Sequence, residues 1–194
     1  MCATAMALLV VGCSTQPTTS TSTSAGASPT STFSATDVAW IQLMIPMSER
    51  AQRLTDMAPS RRASPAVAAL AARTGSRLRE DLRELRELLK LSGVPDTRPH
   101  EGHDMPGMVS LATLGKAGTA TGETFDKILT DALREHLTQS RMLGDSERTQ
   151  GHATKATDLA VLITKRMTEQ IAWLNEIRPA RPPAPEGTVK PTRS

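Results

Sequence analysis

The segment HEGHDMPGM, residues 100–108, gathers metal-binding side chains in a short stretch. His100, His103, Met105 and Met108 include two of the four histidines of the chain and two of its nine methionines. Imidazole and thioether groups are borderline or soft ligands that suit Cu(I). The glycines and the proline between them allow a loop that can adopt the geometry of an ion. The segment therefore predicts a weak Cu(I) site.

The same segment has a second, structural interpretation. A polar stretch with Gly and Pro between helical regions is also typical of a hinge, and its methionines can pack on a helical domain as filler. The two interpretations differ in one property, because metal ligands converge in one place whereas hinge residues are dispersed. The sequence leaves both interpretations open.

The rest of the chain carries no pattern typical of an enzyme. A di-iron centre of ferritin type needs Glu-x-x-His pairs, and no Glu of this chain has His three positions later. The chain also lacks an HExxH motif, a Gly-rich phosphate loop and a nucleophile elbow. The net charge is only +3, and no basic stretch contains aromatic stacking residues. We therefore predict a protein that is not an enzyme and does not bind nucleic acid.

Four long segments with the hydrophobic period of an α-helix must position the candidate ligands. They are expected at about residues 34–58, from Ser64-Pro65 to Ser92-Gly93, from Gly122 through Leu143, and at about 152–177. A short helical turn is expected at 110–116. Aromatic residues make up only 2% of the chain, which favours helices over sheets. The predicted fold is all-α, an antiparallel four-helix bundle built from two helical hairpins.

A constant offset of 89 residues relates the two halves of the predicted bundle. It separates Asp37 from Asp126, Leu54 from Leu143, Leu70-Ala71 from Leu159-Ala160, and Leu85 from Leu174. One offset that matches helix starts and apolar positions indicates a duplicated hairpin whose halves pack together.

The N-terminus resembles the export signal of a bacterial lipoprotein. A short apolar run ends in Val10-Val11-Gly12-Cys13, similar to a lipobox, whose cysteine is lipidated and becomes the mature N-terminus. No Lys or Arg precedes Cys13, which a start codon upstream of Met1 would explain. A cytosolic tail with a chance cysteine is the alternative. We predict that Cys13 carries palmitate and anchors the protein at the extracytoplasmic face of the cell membrane.

The composition divides the chain into four predicted regions. Residues 1–12 are expected to be a signal peptide, and residues 13–33 the lipidated cysteine with a charge-free, Ser- and Thr-rich flexible tether. Residues 34–178 form the helical domain, and residues 179–194 a Pro-rich disordered tail. Since Cys2 would leave with the signal and Cys13 would carry lipid, no disulfide is expected.

The helical region resembles the bacterial ferritin-like family named domain of unknown function 305. Each half of that family carries a pattern similar to Asp-x-x-Phe-x-x-x-Met-Ile-x-His-His-x-x-Ala, and a Met- and His-rich link joins the halves. The corresponding stretches here are Asp37-Val-Ala-Trp40-Ile-Gln-Leu-Met44-Ile45-Pro46-Met47-Ser48-Glu-Arg-Ala51, Phe125-Asp126 with Arg134-Glu135-His136-Leu137, and His103-Asp-Met105-Pro-Gly107-Met108. The resemblance covers about residues 34–178. It implies a ferritin-like bundle and, as in some members, copper binding.

The family pattern changes at its histidines. Met47-Ser48 and His136-Leu137 stand where the family has His-His. The later helices carry Leu78 with Asp81, and Met167 with Gln170, where the family has Gln and Glu. These replacements remove three of the four family histidines.

Met44, Met47 and His136 form a second candidate Cu(I) site at the positions where the family carries its ligands. Met47 and His136 differ by 89 in number, so both are expected to face the same central seam. The alternative is that the methionines are core filler and His136 is a core histidine with a hydrogen-bond partner.

Two classes of function follow from these expectations. One is a membrane-anchored lipoprotein of the cell envelope that binds copper or contributes to metal tolerance. The other is a non-catalytic structural or interaction lipoprotein that has lost the family metal site. The expected partners are the membrane, through the lipid, and a metal ion in the first case.

Overall fold

The computed structural model describes residues 32–177, which form five α-helices and one turn of 3₁₀-helix. The helices are α1 (Ala35–Asp56), α2 (Pro65–Ser92), α3 (Leu111–Thr119), α4 (Gly122–Gln150) and α5 (Thr154–Glu176), and the 3₁₀ turn is Ala58–Ser60. Within residues 32–177 there is no strand. The predicted all-α class is therefore confirmed, and α3 is the short helix expected at 110–116.

The predictions for the two ends of the chain fall on residues that the structure does not describe. They are the signal peptide at 1–12, the lipidated Cys13, most of the tether at 13–33, and the tail at 179–194. None of the helices within residues 32–177 is long and apolar enough to cross a membrane.

The ends of the helices follow local signals in the sequence. Ser34 and Asp37 form a reciprocal capping box at the start of α1, with each side chain accepting from the backbone of the other residue. Pro65 occupies the first turn of α2, where its missing N–H costs nothing. Gly93 ends α2 with a φ of 72°, a conformation that glycine adopts without strain.

The four long helices pack as two antiparallel hairpins. In hairpin one, α1 lies against α2, and ion pairs join Asp56 to Arg79 and Glu49 to Arg86 in opposite chain directions. In hairpin two, α4 lies against α5, and Arg134 near the middle of α4 donates to Asn175 at the end of α5. The hairpins meet where α1 packs on α4 and α2 packs on α5.

Apolar side chains from all four long helices form the core. Leu82 and Leu85 in hairpin one are buried, as is Leu174 in hairpin two. The helical spacing of apolar residues in α5 also predicts burial of Ile171, but this side chain is only half-buried and packs against the margin of the core. Burial of such leucines supplies about 2 kcal/mol each and is the main force that holds the hairpins together.

Each hairpin caps a helix of the other one. Asp37 in α1 accepts hydrogen bonds from the backbone N–H groups of His152 and Ala153, at the start of α5. Asp126 in α4 accepts from the backbone N–H of Ser64, at the start of α2. Ser64 is the N-cap residue of α2, but its own hydroxyl makes no cap bond. These crossed caps agree with a duplicated hairpin.

Candidate metal site

The segment between α2 and α3, residues 94–109, is here called the link. Arg50 in α1, only 5% exposed, donates to the carboxylate of Asp104 at 2.8 Å and to the carbonyl of Glu101. Glu49 binds Arg98 of the link at 2.5 Å. These bonds hold the link against α1, so it is an ordered covering of the bundle and not a free loop.

The other side of the link rests on α4. Gly107 has a φ of 74°, and a Cβ at this position would overlap the side chain of Gln139, so only glycine fits here. The carbonyl of Gly107 lies 3.3 Å from Nδ1 of His136. A carbonyl can only accept, so Nδ1 carries the proton of this bond and Nε2 is left with its lone pair.

His136 is fully buried, and its Nε2 has no hydrogen-bond partner among residues 32–177. Burial lowers the pKa of His136 to about 4, although the bond to Gly107 opposes this shift. The ring is therefore neutral at physiological pH. A neutral imidazole whose Nδ1–H is fixed by a backbone carbonyl is the arrangement that metal-binding histidines commonly adopt.

The two histidines of the link lie next to each other. Their ring centroids are 6.2 Å apart in an edge-to-face arrangement. His100 is half-buried, and its Nδ1 is a buried nitrogen without a partner in the described part of the chain, whereas His103 is exposed. With metal–nitrogen bonds of about 2 Å, two imidazoles on one ion have centroids roughly 5 to 6.5 Å apart. The observed separation is compatible with a shared ion.

The methionines lie at different depths. Met108 is buried and donates its backbone N–H to the carbonyl of Met105, which is half-buried. Met44 and Met47 in α1 are fully buried. Met44 belongs to the main apolar cluster of the bundle, but Met47 and Met108 are outside it. The interpretation as core filler thus fits Met44 best.

The predicted ligands of the link thus form two small groups, His100 with His103 and Met105 with Met108 through one turn. The link reaches the predicted ligand His136 through the carbonyl of Gly107. Among the described residues, no three His, Cys, Asp or Glu side chains come together in a way that could hold a metal ion.

Several buried polar groups were not anticipated from the sequence. Asp81 in α2 is fully buried and forms an ion pair with Arg166 in α5. Burial raises the pKa of Asp81 to about 6, against the opposing effect of Arg166. Asp37 lies beside Glu147, and both carboxyl groups are buried. The 89-residue offset that pairs Asp37 with Asp126 was the available signal for Asp37.

Comparisons with known proteins agree on one family. The family model described as Domain of unknown function (DUF305) matches residues 37–178. A DUF305 protein from Streptomyces coelicolor, described as a secreted protein, has a crystal structure that superposes with a TM-score of 0.65 at 17% identity. The match covers 73% of this chain and 90% of that one.

A second solved structure gives the same result. It is a DUF305 fragment from Deinococcus radiodurans, with a TM-score of 0.65 at 18% identity over 74% of this chain and 95% of that one. At these identities the likeness concerns the fold. No curated protein matches the chain.

Proposed function

The chain belongs to the DUF305 family, and from this premise we propose that it is a lipid-anchored envelope protein whose helical domain binds Cu(I) and catalyses no reaction. His136 carries the proposal. It is a buried neutral imidazole with an available Nε2, held in place by the carbonyl of Gly107 in the link.

The nature of the available ligands favours Cu(I) over harder ions. The link supplies the imidazoles of His100 and His103 and the thioethers of Met105 and Met108. Thioethers bind Cu(I) well and bind Mg²⁺ or Ca²⁺ poorly. The link is already held against α1 through Arg50, so part of the entropy needed to order a metal-binding loop is lost on folding and not on binding.

The proposed location rests on two observations. The relative from Streptomyces coelicolor is described as a secreted protein, and the sequence before the helical domain resembles a lipobox at Cys13. Replacing Cys13 with Ser is expected to move the protein from the membrane fraction to the soluble fraction and to remove the mass of the lipid. Unchanged fractionation and mass would contradict the anchor.

Copper binding is tested by competition with a chromophoric Cu(I) chelator under reducing conditions. The protein is the full chain with Cys2 and Cys13 replaced by Ser, because free thiols would bind Cu(I) themselves. The variant carries Ala at the four positions His100, His103, Met105 and Met108. It is expected to lose Cu(I) binding while its helical circular dichroism is unchanged.

A matched control removes the same kinds of side chain elsewhere. The exposed His152 and Met142 lie outside the link, so the double Ala variant is expected to bind Cu(I) as the parent does. If the parent does not bind Cu(I), or if the four-residue variant binds as well as the parent, the link is not a metal site.

The second candidate function is a structural or interaction lipoprotein without metal. The ion pairs from Glu49 and Arg50 favour it, because they fix the link to α1 and can serve a covering role alone. The copper experiment separates the two proposals, since only the first expects binding in the parent.

A further inference from the structure

Two carboxyl groups lie side by side at the end of the bundle where α1 begins and α4 ends. Asp37 belongs to the first turn of α1, and Glu147 to the last turn of α4. Both residues are at most 1% exposed. In a buried environment a carboxylate must be paired with a cation or hydrogen-bonded, because its charge is otherwise too costly.

Asp37 satisfies this requirement with backbone donors. Its carboxylate accepts from the N–H of Ser34 at 2.5 Å, from that of His152 at 2.9 Å and from that of Ala153 at 3.2 Å. These groups belong to the starts of α1 and α5, where unpaired N–H groups and the helix dipole favour a negative charge. Asp37 is therefore ionised.

Glu147 has no comparable set of donors. Within residues 32–177, neither of its oxygens has an N–H or hydroxyl partner. The group within hydrogen-bond reach is the carboxylate of Asp37. The backbone of Gly151 closes over Glu147, since a Cβ on that glycine would overlap the Glu147 carboxyl.

The nearby cationic side chains point to solvent. Arg148 on α4, His152 in the α4–α5 connection and Lys155 on α5 are all exposed. Of the charged groups in these elements and in α1, only Asp37 acts on Glu147. Two adjacent carboxyl groups without a cation cannot both ionise, so they keep one proton between them.

We propose that Glu147 carries this proton at neutral pH and donates it to Asp37, and that loss of the proton loosens the α4–α5 connection from α1. The pair is then an alkaline-sensitive latch between the two hairpins. Among the described residues, the hydrogen bond to Asp37 is the only one available to the Glu147 side chain.

The sign of the pH effect follows from the pKa values. Burial and the charge of Asp37 raise the pKa of Glu147 from 4.5 to about 8. Between these values the folded protein binds more protons than the unfolded chain, so stability falls as pH rises. Burial raises the pKa of Asp37, but its hydrogen bonds with Ser34, Glu147 and His152 outweigh burial, so the net pKa lies well below the usual range.

Two other groups set the lower limit of the pH range in which a change in stability can be assigned to Glu147. The lowered pKa of His136 makes stability rise between about pH 4 and 6.5, and the raised pKa of Asp81 makes it fall between 3.8 and about 6. Above pH 6.5 these effects end, and the decline up to about pH 8 belongs to Glu147. When the folded protein binds one proton more than the unfolded chain, the equilibrium constant of folding changes tenfold per pH unit.

The test measures urea unfolding of the full chain at intervals between pH 6.5 and 9. The folding equilibrium constant of the parent is expected to fall by up to tenfold per pH unit until about pH 8 and to level off above that pH. Glu147→Gln keeps a donor for Asp37 without a titrating proton, and is expected to remove this decline. The control Glu135→Gln replaces an exposed glutamate on the same helix and should retain it.

A measurement on the parent keeps the proposal testable if Glu147→Gln does not fold. The side-chain carboxyl carbon of Glu147, observed by NMR, is expected to titrate near pH 8. A midpoint below pH 6, or a decline in Glu147→Gln equal to that of the parent, would overturn the latch.

Discussion

The two hairpins have the same arrangement of helices, but side chains at equivalent positions differ in burial and in their contacts. Asp37 and Asp126 are equivalent through the 89-residue offset, and each caps a helix of the opposite hairpin. Asp37 is fully buried beside Glu147, whereas Asp126 is half-buried. The position equivalent to Glu147 in hairpin one is Ala58. The capping aspartate is therefore part of a buried carboxyl pair in one hairpin and a half-buried cap in the other.

A second pair of equivalent positions shows the same asymmetry. Asp81 and Gln170 correspond, and both are buried. Asp81 pairs with Arg166 across the interface of the hairpins, while Gln170 donates to the backbone carbonyl of Arg166 in its own helix. Arg77, the equivalent of Arg166, forms only a partly exposed pair with Glu80. Equivalent positions are thus expected to contribute differently to the free energy of unfolding. Substitutions at both members of a pair measure this difference.

The largest expected difference is between Asp37→Ala and Asp126→Ala. The first leaves three buried or half-buried N–H groups without their acceptor, and each such loss costs about 1–3 kcal/mol. The second removes one cap bond, worth about 1 kcal/mol. We expect Asp37→Ala to lower the free energy of unfolding by about 4 kcal/mol in urea titrations. Equal losses at both sites would show that the hairpins use their caps equally.

Arg166→Ala and Arg77→Ala are expected to differ by a smaller amount. Removal of Arg166 leaves Asp81 buried without its cation, and breaking a pair of this kind costs about 3 kcal/mol. Removal of Arg77 breaks a surface pair worth less than about 1 kcal/mol. Both variants are compared with the parent by urea unfolding at pH 7.5.

The pH dependence separates charge from packing in this comparison. Because the pKa of Asp81 is already raised to about 6, this carboxyl is mostly neutral at pH 5 and needs Arg166 less. The cost of Arg166→Ala is therefore expected to shrink at pH 5. A cost that is the same at pH 5 and pH 7.5 would mean that Arg166 contributes by packing alone.

The helices could be predicted from the sequence because they depend on local patterns. Apolar spacing, the Ser64-Pro65 start and the Ser92-Gly93 end determine α2 with little help from the rest of the chain. The crossed caps could not be predicted, since Asp37 meets His152 only after both hairpins have folded and packed. The offset between Asp37 and Asp126 marked the positions but not their partners.

The candidate metal site shows the same limit more clearly. The residue types of the link indicated its chemistry, and the neighbouring positions of His100 and His103 in the chain favoured their contact. The hydrogen bond from His136 to Gly107 joins residues 29 apart and depends on a glycine that packs on α4. Neither the hydrogen bond nor the ion pair of Arg50 with Asp104 has a signature in local sequence.

The smallest expected difference concerns a close contact within each hairpin. Thr55 faces Gly75 in hairpin one, and Gly144 faces Thr164 in hairpin two. The offset of 89 relates Thr55 to Gly144 and Gly75 to Thr164, so both hairpins have a Gly–Thr contact at equivalent positions, with the two residue types on opposite helices. The two contacts differ in how closely the glycine approaches the threonine. A Cβ on Gly75 would lie 2.9 Å from Thr55 Oγ1, whereas one on Gly144 would overlap Thr164 Oγ1.

This difference predicts unequal effects of Gly→Ala. Alanine gains about 1 kcal/mol over glycine in a helix, and overpacking costs about 1–3 kcal/mol. For Gly75→Ala the two effects nearly cancel, while Gly144→Ala is expected to lower the free energy of unfolding by about 1 kcal/mol. Adding Thr164→Ala removes the overlapping hydroxyl and should restore the stability lost in Gly144→Ala, as measured by urea unfolding. If the double variant is no more stable than Gly144→Ala alone, the cost arises from the carbonyl of Ala160, which lies 3.2 Å from the added Cβ.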